Sequence, residues 1–324
     1  MCQKGEIFVK KKILAIVISL LLIFTISACN RNNNGSNSDG NVDLNSKVQY
    51  PITLKDSYGR EVTLDKEPKR VISVAPNVTE VIFALDKQDK LVGRTDFCDY
   101  PEAASDIESI GNIDQPSIEK IVELKPDLVI ASSIFQKEVL EKLEEVNVKV
   151  AVLRGEESFE GAYDVIGKIG ILLNSKDEAR KIITDMKEKV ELVKNSIEEL
   201  DKPSVYYVIG YGEFGDYTAG RDTFVAHIIE MAGGINVADD VEGWKYNIES
   251  LLEKDPDMLI CSKYFDSKQG IMNTEGYKEL TAVKNGRVFE IDNNMLERQG
   301  PRLADGLVDM AKIIHPEAFG ETER

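Results

Sequence analysis

The chain has 324 residues, 42% of them hydrophobic and 30% charged, a globular composition long enough for two compact domains. Its 40 Lys and Arg face 57 Asp and Glu, a net charge of -17, so it lacks the cationic surface that displaces counterions from nucleic acid. Only two histidines occur, His227 and His315, which is too few for a His-rich metal site and would require both for a haem held by two imidazoles, so neither is expected.

The first segment reads as an export signal. Lys10, Lys11 and Lys12 precede an apolar run from Ile13 to Ile26, followed by Ser27, Ala28 and Cys29. The run is short for a membrane-spanning helix and gives way abruptly to polar sequence. A cysteine directly after small residues resembles a bacterial lipobox, so residues 1–28 are expected to be removed and Cys29 to carry lipid. Residues 29–49 are then a lipidated tether, its Asn, Ser, Gly and Asp offering almost nothing to bury. The mature chain keeps Cys98 and Cys261, far apart in sequence, which read as two free or buried thiols.

Ordered structure is expected from about residue 50. Residues 51–64 alternate around Tyr58-Gly59 and predict a hairpin. Strands are expected at 71–75, 91–95, 127–131 and 148–153, with helices near 77–86, 117–125, 136–146 and 158–173. That alternation predicts a mainly parallel sheet flanked by helices. Residues 176–201 carry Ile182, Ile183, Met186, Val190, Val193 and Ile197 on one face, a long single helix that Pro203 ends. A second alternating block follows, with strands at 204–209, 257–261 and 287–291 and helices near 222–232, 247–254, 275–283 and 302–314. The domains are accordingly a lobe at 50–174, a connecting helix at 175–202, a second lobe at 203–318 and a tail at 319–324.

The two blocks share a repeat. Residues 117–135 (SIEKIVELKPDLVIASSIF) align without a gap on 247–265 (NIESLLEKDPDMLICSKYF). Glu119 matches Glu249, Pro126 matches Pro256, Asp127 matches Asp257 and Phe135 matches Phe265. Ser117 and Asn247 are suitable N-caps, and each proline stops a helix before a buried strand. Any helix–proline–strand unit would show part of this, but the repeated Glu and Phe are not required by it. The fold class is therefore α/β: two similar lobes joined by one long helix, with a cleft between them as the expected ligand site.

A surface enzyme on this scaffold is the competing class, but catalytic chemistry has nothing to point at. No Gly-x-Ser-x-Gly elbow, Walker loop, His-Glu-x-x-His or Cys-x-x-Cys occurs. Residues 210–215 (GYGEFG) match the dinucleotide fingerprint, but residues 216–220 prolong the loop where a helix should open on the pyrophosphate. His227 falls within an apolar helix and reads as a core residue, and His315 as a cap after the last helix. Aromatics in loops after strands say more: Phe97 and Tyr100 in TDFCDYP, Tyr211, Phe214 and Tyr217 early in the second lobe, and Trp244 beside Gly243.

Together with DSYGREVTLDKEPKRVISVAPNVTEVIFAL, YTAGRDTFVAHIIEMAGGINV and LERQGPRLADGL, these segments resemble the substrate-binding lipoproteins of ABC importers for corrinoids and ferric siderophores, over roughly residues 50–316. The resemblance is greatest to vitamin B12-binding members. It implies two α/β lobes on a rigid helical bridge, a monomer tethered outside the cell membrane, and a non-enzymatic carrier with no cofactor of its own. The ligand it implies is a corrinoid or another metal chelate, taken up by an ABC permease dimer. The family's ligand-contacting aromatic falls on Phe97, its second-lobe tryptophan on Trp244, and the polar residue and arginine of its last ligand loop on Asn294 and Arg298; Tyr100, Tyr211 and Tyr217 complete the expected ligand set. Where B12 binders carry two tryptophans this chain has Ile113 and Ser132, which keeps a ferric siderophore or haem as alternatives. The family docks on arginines of its permease through one exposed glutamate per lobe, which fall on Glu119 and Glu249.

Overall fold

The computed structural model describes residues 48–132 and 135–320. The export signal and Cys29 lie outside the described residues. Among those described, no helix is long and apolar enough to cross a membrane.

A two-stranded antiparallel hairpin comes first, β1 (Ile52–Lys55) against β2 (Glu61–Leu64). Gly59 takes a positive φ of 77° in the turn, as a residue without a Cβ does readily. The first lobe then runs β3 (Val71–Ser73), α1 (Pro76–Ala84), β4 (Leu91–Arg94), α2 (Ile118–Glu123), β5 (Leu128–Ala131), α3 (Lys137–Glu145), β6 (Val150–Val152) and α4 (Phe159–Leu172). Its sheet is parallel, in the order β4-β3-β5-β6. Every residue of β3, β5 and β6 is buried, because helices cover both faces of the sheet.

After α5 (Lys176–Ile197), the second lobe runs β7 (Ser204–Val208), α6 (Phe224–Met231), β8 (Ile235–Asn236), α7 (Ile248–Lys254), β9 (Met258–Ser262), α8 (Ser267–Asn273), α9 (Thr281–Lys284), β10 (Val288–Ile291), α10 (Asn293–Glu297) and α11 (Leu303–Ile314). Its parallel sheet has the order β8-β7-β9-β10, so both lobes use their first strand in the second position and cross over between the second and third.

The repeat has one physical job in both lobes. Ser117 accepts from the Lys120 amide, and Asn247 from the amides of Glu249 and Ser250, each opening its helix. The following aspartates tie that helix–strand unit to the lobe's first strand. Asp127 accepts from the amides of Lys69 and Arg70 at 2.8 and 3.0 Å, and Asp257 from the amide and hydroxyl of Ser204, both at 2.7 Å.

Helix α5 packs on α4 of the first lobe and α11 of the second. Ala179, Ile183, Met186, Val193 and Ile197 are buried along it, while the opposite face is charged. At 1.5 Å per residue the helix is about 33 Å long, enough to run past both lobes. One apolar core extends from Val71 and Leu128 through Met186 to Val205 and Ile260. Moving the lobes apart would expose that core, so the bridge is stiff for a packing reason.

Several expectations need correction. The long helix ends at Ile197, with residues 198–200 forming a turn before the strand. The segment 275–283 is a single 3-10 turn at Tyr277–Glu279 followed by the four-residue α9, the two separated by extended backbone at Leu280. Strand β8 and helices α8 and α10 are too short for a periodic signal. His227 is exposed, because the apolar run is used up by the buried arc of Phe224, Val225, Ala226, Ile228 and Ile229. His315 does sit at the C-cap of α11, its Nε2 3.1 Å from the Gly233 carbonyl oxygen. Cys98 and Cys261 are both free and buried, and burial pushes the Cys261 thiol up to about 12.

Candidate functional site

A cleft of about 750 Å³ opens between the lobes at the C-terminal ends of the strands. A strand order that reverses beside the first strand parts the following loops there, which is why open parallel sheets take ligands at that end. The first lobe lines the cleft after β3 with Val74–Asn77, after β4 with Phe97 and Ile113, after β5 with Ser132 and Phe135, and after β6 with Arg154, Gly155 and Glu157. The second lobe contributes Phe224 and Val225 at the start of α6, Trp244 after β8, and Asn294 and Leu296–Gln299 in and after α10.

Four expected ligand residues are thus brought together: Phe97, Trp244, Asn294 and Arg298. Phe97 and Trp244 are 53% and 43% exposed, so each ring keeps a face that a flat ligand can cover. Asn294 donates from Nδ2 to the Tyr264 hydroxyl at 3.4 Å, which fixes the amide at the rim. Ile113 and Ser132, the positions without tryptophan, line the same cleft.

The other three expected residues lie off the cleft lining. Tyr100 stacks on Arg302, its ring centroid 3.7 Å from the guanidinium carbon. Tyr211 packs edge-on against Tyr277 at 6.3 Å and over Gly270, where a Cβ would meet its hydroxyl at 2.0 Å. Tyr217 bridges Gly210 and Lys245 in short antiparallel pairs. Its ring lies so close to Gly210 that a Cβ there would meet it at 2.8 Å. Gly210 opens the false dinucleotide fingerprint, and Gly270 lies in α8. They serve close packing, since after β7 comes only a 3-10 turn at Gly212–Phe214, with no helix before α6.

An ion network joins the lobes beneath the cleft. Glu80 of α1 has a side chain only 3% exposed. Arg302 donates to it from Nε at 2.9 Å and Nη2 at 2.7 Å, and Arg298 from Nη1 at 3.1 Å. Arg298 Nη1 also donates to Asp99, at 2.6 Å, and Arg302 lies 3.6 Å from Asp292. Desolvation opposes ionisation of Asp99, but the Arg298 guanidinium outweighs it and holds that carboxyl below its ordinary value. Glu297 faces the cleft, where desolvation pushes its carboxyl up.

Sequence reasoning did not find Phe135, Phe224, Glu80 or Asp99. Phe135 carried a signal as one of the repeated residues. Glu80 sits in an apolar helix, at 4% exposure, and a buried charge there demands a partner. The identity of that partner, more than two hundred positions away, has no local signature.

Glu119 and Glu249 are exposed in the first turns of α2 and α7, one on each lobe. Asn77, within a glycosylation-type triplet, is buried and donates to Ser132 Oγ and the Gln299 carbonyl oxygen.

Two similar lobes, a stiff helical bridge and an aromatic cleft between them define a solute-binding protein of the type that holds its ligand between lobes without a large hinge. The chain belongs to the Periplasmic binding protein family, which it matches over residues 71–295. It is 28% identical over 308 residues to an ABC transporter substrate-binding lipoprotein of Bacillus subtilis, covering 93% of this chain and 97% of that one. It is also 28% identical over 286 residues to a cobalamin-binding protein of Halobacterium salinarum, covering 84% and 76%. Among solved structures, a periplasmic haem-binding protein of Pseudomonas aeruginosa aligns with a TM-score of 0.68 at 26% identity, covering 77% and 93%.

Proposed function

We propose that this chain is the extracytoplasmic substrate-binding component of an ABC importer and that its ligand is a corrinoid. It is a carrier, captures its ligand non-covalently between the lobes and hands it to a permease dimer that contacts Glu119 and Glu249. Lipid on Cys29 would tether it to the outer face of the membrane. The similarity to an ABC substrate-binding lipoprotein and to a cobalamin-binding protein supports this reading.

The observation that carries the choice of ligand is the chemistry of the cleft. Phe97 and Trp244 offer flat apolar surface, and the basic side chains Arg154 and Arg298 are matched by the acidic Glu157 and Glu297. Such a site suits a bulky ligand fringed by amides better than an anionic ferric chelate, whose charge would need surplus cations. Among the described residues lining the cleft none is a His, Cys, Met or Tyr, the side chains that ligate haem iron axially. A haem carrier remains the second reading because a solved relative is a haem-binding protein.

A thermal-shift panel of cobalamin, cobinamide, haem and ferric siderophores tests the assignment. A ligand that binds only the folded state at a hundredfold excess over Kd adds about 2.7 kcal/mol of stability. Cobalamin or cobinamide should raise the melting temperature; a shift with haem or a siderophore alone would overturn the corrinoid reading.

A further inference from the structure

We infer that Asp99 tunes the cleft against carboxylate-bearing ligands by occupying Arg298 as an exchangeable counter-ion. The inference deepens the corrinoid reading and rests on it, since it concerns the same cleft. Arg298 is one of the cleft's two basic lining residues, and its Nη1 bonds two carboxylates of the opposite lobe. The two carboxylates are not equivalent. Glu80 is 3% exposed and held by Arg302 as well, so displacing it would strand a charge out of reach of water. Asp99 is 60% exposed and has its bond to Arg298, so water can replace what it loses.

Ligands with different fringes meet this arrangement differently. A carboxylate reaching Arg298, by displacing Asp99 or on the donors that neither carboxylate uses, stays beside Asp99, like charges sharing one cation. An amide carbonyl carries no charge for Asp99 to repel. A guanidinium has five N–H donors, and both carboxylates use Nη1. An amide N–H can moreover donate to Asp99 itself. The pair therefore lowers affinity for a macrocycle fringed by carboxylates relative to one fringed by amides, with the ring contacts common to both.

The experiment titrates the full chain and its Asp99→Asn variant with haem, which carries two propionates, and with dicyanocobinamide, whose fringe is amide, following Trp244 fluorescence. The expected result is a rise of about fivefold in the haem-to-cobinamide affinity ratio, the upper range of what an exposed ion pair controls. In Asp99→Asn/Arg298→Gln the ratio should fall back, because the cation that the propionate would reach is gone. Citrate supplies a macrocycle-free arm: it should raise the melting temperature of Asp99→Asn more than that of the wild type. An unchanged ratio together with equal citrate shifts overturns the inference, and so does a ratio that moves towards cobinamide. Wild-type binding of haem alone would sink the corrinoid assignment and still leave the effect of Asp99→Asn on haem and citrate to decide this one.

Discussion

The two lobes have the same strand order, the same capped helix before the third strand and the same aspartate tying that strand to the first, yet they treat the end of the repeat in opposite ways. Phe135 is 3% exposed and forms part of the cleft wall, with the Tyr58 hydroxyl donating to its carbonyl oxygen at 2.8 Å. Its partner Phe265 is 97% exposed, with a φ of 60°. Ser132 accepts from Asn77 across the first lobe, whereas Ser262 donates to Asn293 within the second. A repeat thus preserves what the sheet needs, the cap, the proline stop and the aspartate. The loop beyond the strand has no such obligation, and its neighbours decide which aromatic is buried.

Substitutions can break this comparison most sharply at the residues that hold the lobes and the cleft wall. Glu80→Ala leaves the guanidiniums of Arg298 and Arg302 facing each other without their shared carboxylate, at a cost of about 3–5 kcal/mol in urea unfolding. A cost below about 1 kcal/mol would mean that the lobes are joined by the core around α5 alone.

Phe135→Ala should cost about 3–4 kcal/mol, since it empties a buried aromatic site, while Phe265→Ala should stay within about 0.5 kcal/mol. Equal effects would show that the lobes end their repeats alike in solution.

The aspartates should give matched, smaller effects. Asp127→Ala and Asp257→Ala should each cost about 1 kcal/mol, the bonds being charge-assisted but exposed. For Asp127 desolvation raises the carboxyl's pKa but the amides of Lys69 and Arg70 outweigh it, and for Asp257 the Ser204 hydroxyl and amide lower it directly. Both folded values are depressed, so their stabilisation is present above the ordinary carboxylate pKa of about 4 and disappears as pH falls through the folded values. The double variant should lose part of the acid-induced drop in stability below about pH 4. An unchanged acid limb would contradict that origin.

Glu119→Ala and Glu249→Ala should have the smallest effect on the fold, no more than about 1 kcal/mol each, because each only complements its helix dipole. The proposed docking predicts that the double variant binds ligand normally and supports no uptake. Normal uptake by that folded variant would reduce the pair to helix ends.

The sequence by itself determined the scaffold. The apolar runs, the 3.6-residue periodicity of 176–201 and the gapless repeat specify two α/β lobes and a bridging helix, because these are local patterns read over ten to twenty residues. Phe97 and Trp244 were legible as loop residues after strands whose C-terminal ends face one cleft, whereas Asn294 and Arg298 were legible only through the family resemblance. The tertiary structure decided the rest. Tyr211 and Tyr217 have the same loop character, but Gly210 and Gly270 let the second lobe draw their rings into its own packing. His227 sits in an apolar run that only the packed helix divides into a buried arc and a wet one. The network of Glu80, Asp99, Arg298 and Arg302 pairs residues about 200 positions apart, and such a pairing exists only once α5 has set the lobes face to face. Short-range sequence fixes where a side chain stands on its element; which charge or ring it meets across the cleft follows from burial of a core that both lobes share.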